Sequence, residues 1–180
     1  AAGGDIYCQS ASKMFKVPVE KHGVNGHLRS RGKLSELSCG YGGSVGAMIN
    51  MGALEMGLKE EELAPIVQAW REASPNIVRF WWDMDEAAKS CIVTKSKTST
   101  HGITFRYQYG TLLMRLPSGR DIAYALPRLD ENRFGGTSIS YMGKSMTSSW
   151  TRLETYGPKI VENCCAEGTL VLTDTGVKPI

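Results

Sequence analysis

"LRSRGKLSELSCGYGG", residues 28–43, is the stretch on which the reading of the whole chain turns. Laid on a helix, Arg29, Lys33, Leu37 and Tyr41 recur at i, i+4, i+8 and i+12. They form one slowly drifting stripe of two cations, an apolar residue and an aromatic ring among glycines. Such a stripe suits a nucleoside triphosphate laid along the helix, with Arg29 and Lys33 on phosphate oxygens and the aromatic end against base or sugar. The same spacing describes an ordinary surface helix with two basic residues, and spacing alone does not separate the two. Gly32, Gly40, Gly42, Gly43 and Gly46 lie in or just after the run. Each would cost a helix about 1 kcal/mol relative to Ala, so close approach of the backbone to a partner is expected there. "GYGGSVGA" (40–47) is no phosphate loop, because it lacks the Gly-Lys-Ser/Thr of a P-loop and does not show GxGxxG after a strand.

Outward from that stretch, residues 5–72 read as mainly helical. "DIYCQSASKMF" (5–15) is a short amphipathic piece, ended by a loop at Pro18, Gly23 and Gly26. The next helical stretch is expected to start near Gly26–His27 and continue to Gly57. In "LKEEELAPIVQAWREA" (58–73), Leu63, Ile66, Val67 and Trp70 share one face, and acids fill the first turn. "SPNIVRFWWDMDEAAKSCI" (74–92) opens with Ser74 as N-cap and Pro75 at the first helical position. Its Ile77, Val78, Trp81 and Trp82 are expected in the core, with Asp83 and Asp85 on the solvated face. At "KTSTHG" (97–102) the period changes. Residues 103–129 alternate in short runs broken at Gly110 and "LPSGR", "SISYMG" reads as a further strand, and Trp150 is expected to begin a helical approach to "YGPKIVEN". The fold class is α+β: helices first, then a small antiparallel β unit, then the start of another helix.

The 180 residues, 42% hydrophobic and 22% charged, fit a soluble globular chain. No run of about 18 apolar residues is present, so no membrane partner is expected. The first residues lack a signal peptide, which points to a cytoplasmic protein, and the absence of an initial Met points to a start upstream. Five cysteines without a CxxC pair and three scattered histidines argue for a reducing compartment and against a zinc site. Net charge is +3, too mild to demand a nucleic-acid partner, although Lys21, Arg29, Arg31 and Lys33 cluster in "EKHGVNGHLRSRGK" (20–33).

R-x3-K-x7-YG on a helix resembles motif B of the family A DNA polymerases. The run "GGDIYCQSASKMF…GALEMG", "WREASPNIVRFWWD", "LPSGR…Y" and W-x-R-x-x-TYG-x-K-x-x-EN look like the phage and prophage members of that family, over roughly residues 3–163. The resemblance implies part of a DNA-directed DNA polymerase: the helical fingers subdomain and adjoining palm elements of a right-hand fold, over residues 1–163. It implies that Arg29 and Lys33 contact the triphosphate of an incoming dNTP and that Lys33 protonates the pyrophosphate leaving group. Tyr41 would sit against the nascent base pair, Gly42 would let the template strand pass, and Leu37 would pack under the sugar where bacterial relatives carry Phe or Tyr. DNA primer-template and dNTP are the implied partners, and the host cytoplasm the implied place if the protein is viral. The chemistry of the family needs two Mg²⁺ ions held about 3.5–4 Å apart by carboxylates of two further motifs. Neither motif is present, so the enzyme is expected to be incomplete in this chain alone.

After Asn163 the helical pattern stops at "CCAEGTLVLTDTGVKPI" (164–180). That segment resembles the first block of inteins: Cys164 first, Thr169 sixth and Thr173 tenth, around a short apolar strand and turn. The resemblance implies that the Cys164 thiolate attacks the Asn163 carbonyl to form a thioester. A complementary split-intein chain carrying the rest of the polymerase is then a possible partner. Two alternatives stay open: a chain concerned chiefly with splicing, and a nucleic-acid-binding module without catalysis.

Overall fold

In the computed structural model, residues 4–145, 147–164, 170–173 and 176–179 are described. They fall into two units, 1–78 and 79–180.

The first unit is helical: α1 (Ile6–Phe15), α2 (Leu28–Cys39), α3 (Val45–Asn50) and α4 (Glu60–Ala73). Asp5 caps α1 by accepting the N–H groups of Tyr7 and Cys8 at 3.0 and 3.1 Å. The helix ends where Lys16 turns left-handed, at φ 54°. α2 turns Gly32, Leu34, Ser35, Ser38 and Cys39 inward. The two buried serines donate their hydroxyls to the carbonyls of Arg31 and Leu34, so neither is left unpaired. Gly32 is required by packing: a Cβ there would overlap the Tyr7 carbonyl oxygen of α1. In α4 the expected stripe holds, and Leu63, Ile66, Val67 and Trp70 are all buried. Burying such side chains stabilises the unit by roughly 1.5–3 kcal/mol each.

The helix expected to continue to Gly57 stops at Cys39 and resumes for one short piece, α3. Its end is a Schellman-type turn, in which the Gly43 N–H donates to Ser38 O and the Gly42 N–H to Cys39 O. Gly42 supplies the left-handed φ of 77° that this turn demands.

The second unit takes up α5 (Pro75–Thr94) from residue 79, a six-stranded antiparallel sheet in the order β1 to β6, and α6 (Gly157–Cys164). The strands are β1 (Thr98–Thr100), β2 (Ile103–Gln108), β3 (Thr111–Arg115), β4 (Asp121–Glu131), β5 (Thr137–Lys144) and β6 (Trp150–Thr155). Alternate residues Ile103, Phe105, Leu112, Met114, Tyr124 and Ile139 join Met84, Ala88, Cys91 and Ile92 of α5 and Ile160 of α6 in one core. The sheet is thus larger than the small unit expected. Its last strand is the segment from Trp150 that was expected to be helical. β6 pairs along its whole length with β5, Lys144 opposite Trp150 and Ile139 opposite Thr155, and the helix begins only at Gly157. A register shift between Ala125 and Arg128 accommodates Pro127, which has no N–H for a ladder.

Two further expectations are corrected here. Trp81 is 2% exposed and belongs to the core, whereas Trp82 is 54% exposed and Ile77 43%. Adjacent helical residues diverge by about 100°, and Trp82 falls beyond the edge of the buried face on which Trp81, Met84 and Ala88 lie. Asp85 is buried rather than solvated. It pairs with Lys89 at 2.6 Å and accepts the Gly157 N–H at 2.9 Å, capping α6 from α5.

Past α6, β7 (Leu170–Thr173) and β8 (Gly176–Pro179) form a two-stranded antiparallel ladder, as the strand-and-turn pattern predicts. Thr169 lies outside the described residues.

Candidate functional site

The outward face of α2 carries the residues singled out by the sequence. Leu34, Ser35 and Ser38 fix the inner face, which leaves Arg29, Lys33 and Leu37 on the other side, one turn apart. Lys33 is exposed, and Leu37 is 39% exposed although apolar. Tyr41 is 59% exposed and sits in the closing turn, two residues past the end of α2, so the four-residue stripe is not carried by one helix. The glycine turn prevents that continuation. Gly42 occupies the left-handed position of the turn, and Gly43 is pressed against Ser38 O and the Ala47 side chain.

Among the described residues, Arg29 is the member of the row held by an ion pair. Its Nε donates to Asp5 Oδ2 at 2.8 Å, its Nη2 forms an ion pair with the same oxygen at 2.8 Å, and its guanidinium lies 5.3 Å from the Tyr7 ring centroid. The Arg29 guanidinium beside Asp5 holds that carboxyl below the usual range, and the carboxylate raises Arg29 in turn. Arg31 is directed elsewhere, towards Glu62 of α4 at 3.5 Å.

A cavity of about 590 Å³ in the same unit is lined by Asp5, Cys8, Ser12, Lys13 and Lys21 among others, and by no residue of the row. In the second unit, a cavity of about 290 Å³ is lined by residues that include Glu154, Thr155, Lys159, Glu162 and Asn163. Asn163 donates from Nδ2 to the Tyr124 hydroxyl at 3.1 Å. Cys164 is the last residue of α6 and Thr173 the last of β7.

Among the described residues no group of three or more His, Cys, Asp or Glu could hold a metal ion. Asp83 and Asp85, the tempting pair, are both engaged: Asp83 with His101 at 2.7 Å, Asp85 with Lys89 and the α6 N-terminus. Among them also, no helix is long and apolar enough to cross a membrane.

Reasoning from sequence missed Asp5 as the anchor of Arg29. The signal available was an Asp immediately before a helical pattern, the N-cap position, but the partner lies 24 residues away.

The chain is similar to the DNA polymerase of Bacillus phage SP02, at 45% identity over 187 aligned residues. The match covers 98% of this chain and 29% of that polymerase, so the chain spans less than a third of its relative's length. At that coverage the match necessarily runs past Asn163 into residues 164–180. No family model and no solved structure matches the chain.

Proposed function

We propose that this chain is the nucleotide-gripping part of a phage-type, DNA-directed DNA polymerase. The observation that carries the reading is the outward row of α2 in a chain 45% identical to a phage DNA polymerase. Arg29 and Lys33, one helical turn apart on the exposed side, meet the phosphates of an incoming dNTP. Lys33, exposed on the helix, delivers a proton from its ammonium to the departing pyrophosphate oxygen. Leu37 offers an apolar step for the sugar. Tyr41, exposed on its glycine turn, presents its ring to the base pair, with Gly42 keeping the backbone low for the template. The helical unit then serves as fingers, and the primer-template is its DNA partner.

Two Mg²⁺ ions would supply charge neutralisation at the phosphates in the complete enzyme. The acids of the described residues do not fit that task, since the Asp83–Asp85 pair is already committed to structural partners. The reading therefore assigns the metal ligands to segments outside the described residues.

The test is equilibrium binding of a dNTP to the chain. Lys33→Ala is expected to weaken binding at least about tenfold, the loss of one charge-assisted contact, with an unchanged melt. Near-normal binding by that variant would sink the assignment.

A second reading keeps residues 164–180 as the start of an intein. It is supported by the spacing of Cys164, Thr169 and Thr173 and by the β7–β8 ladder that follows α6. The extension of the phage polymerase match into this segment favours a polymerase segment there instead. Cleavage by dithiothreitol between Asn163 and Cys164, abolished by Cys164→Ala, would carry the splicing reading. A chain that stays intact leaves the polymerase reading alone.

A further inference from the structure

We propose that Asp5 is a positioning residue for the incoming triphosphate: it fixes one edge of the Arg29 guanidinium and so presents the other edge to phosphate. The inference rests on the reading of α2 as the nucleotide grip.

The Asp5 carboxylate works with both oxygens. Oδ1 accepts the Tyr7 and Cys8 N–H groups and is thereby locked to the start of α1. Oδ2 accepts from Arg29 Nε at 2.8 Å and pairs with Nη2 at the same distance. The carboxylate cannot swing without uncapping a helix, so the guanidinium it holds cannot swing either. The Tyr7 ring, 5.3 Å away, further restricts the plane of the fork. Arginine is suited to this arrangement because its donors lie in a rigid plane: binding one edge orients the rest. Asp5 and Arg29 side chains remain 22% and 27% exposed, so the pair is not closed off from a solute.

The position of this edge is informative. Arg29 stands in the first turn of α2, where the helix dipole is positive, and Lys33 follows one turn later on the same side. α2 has no side-chain cap of its own at His27. An anion arriving there meets an arginine whose orientation was settled beforehand, and the ordering entropy of a long flexible side chain is not lost on binding. Gly32 adds to the rigidity, because it lets α1 and α2 approach closely enough for the Asp5–Arg29 pair to form.

The test uses the full chain labelled with ¹⁵N arginine, with dATP and dAMP as probes. Asp5→Asn keeps an oxygen for the Tyr7 and Cys8 N–H groups and removes the charge that grips Arg29. Asp5→Ser keeps a capping hydroxyl and lacks the reach. In both, hydrogen exchange of Arg29 Hε is expected to accelerate about tenfold, and dATP affinity to fall about tenfold with dAMP affinity unchanged. A merely structural role would not separate triphosphate from monophosphate. Unchanged exchange, or dATP binding that is unchanged or tighter, overturns the proposal; tighter binding would mean that Asp5 competes with phosphate. Lys33→Ala separates the two levels of the argument. If it leaves dATP binding intact, the reading of α2 as the grip fails, whereas Arg29 Hε exchange in Asp5→Asn still decides whether Asp5 holds the arginine.

Discussion

Each unit of this chain contains the same small device, an aspartate that caps a helix and holds a cation, set beside a glycine where two backbones meet. In the helical unit Asp5 caps α1 and holds Arg29, and Gly32 lies against Tyr7 O. In the sheet unit Asp85 caps α6 and holds Lys89, and Gly157 lies against Trp81 O. The difference is burial. The Asp85 side chain is 8% exposed, and Lys89 also donates to Thr137 O at 2.7 Å, so that cation has two partners within the fold. The Asp5–Arg29 pair is more open at its carboxylate, 22% exposed, with the Arg29 side chain 27% exposed. Turned inward, the device holds a sheet and two helices together; the more open pair is the one for which we propose a role in meeting phosphate.

The sharpest way to break this comparison is Asp85→Ala. It removes the cap of α6 and leaves Lys89 without its carboxylate in a mostly buried setting, which should destabilise the sheet unit by about 3 kcal/mol. Asp85→Asn, which keeps an acceptor for the Gly157 N–H, should lose less. Denaturant melts of the two variants decide it, and a loss below about 1 kcal/mol for the alanine variant would remove the structural role given to the inward pair.

Gly32→Ala comes next. Its Cβ would overlap a backbone carbonyl, which cannot give way as a flexible side chain can, so about 2 kcal/mol should be lost from the α1–α2 contact. Amide exchange should speed up in α1 and α2 and stay unchanged in β2 to β5. Equal acceleration in both units would show that they do not stand as separate cooperative bodies.

The smallest effect is one of pH. The Asp5 carboxyl is depressed chiefly by its hydrogen bond from Arg29, so its contribution is fully present above the ordinary carboxylate value. It declines as pH falls from that value and is gone once pH has passed below the lowered folded one. A ¹³C titration of the Asp5 carboxyl should show a midpoint below the ordinary one, moving up in Arg29→Gln. An unmoved midpoint would show that the outward pair is not formed in solution. Asp121, depressed chiefly by Arg115 and also held by Arg106, gives an independent control in the sheet unit.

Local pattern served the sequence reading well where the determinants are local. The stripe of α4 gave four core residues because a 3.6-residue period and an acidic first turn are both contained in 14 residues. The α5 stripe located a buried face but not its edge, so Trp82 was assigned inside with Trp81. Residues 150–155 were misread because a short strand without strict alternation is defined by its partner, and β5 is that partner. Tyr41 was carried along a helix that the glycines at 42 and 43 end. For the candidate site, Arg29, Lys33 and Leu37 could be placed on one face from spacing. The direction of Arg29 could not, because Asp5 enters through a tertiary contact between two helices.

Asp85 and Gly157 are 72 residues apart, and this separation has a consequence for how the chain is made. As the chain emerges during synthesis, α5 comes first and the hairpins from β1 to β5 can close one upon another through short turns. Through all of that, Asp85 has no helix to cap, and the place of Ile160 in the core stands open to water. The final step closes one long loop, whose entropy must be met before the capping bond and the Ile160 contacts are gained. The nascent unit therefore passes through a late, adhesive stage, with most of its sheet formed and its core uncovered, that ends only when residues 157–160 are out and docked.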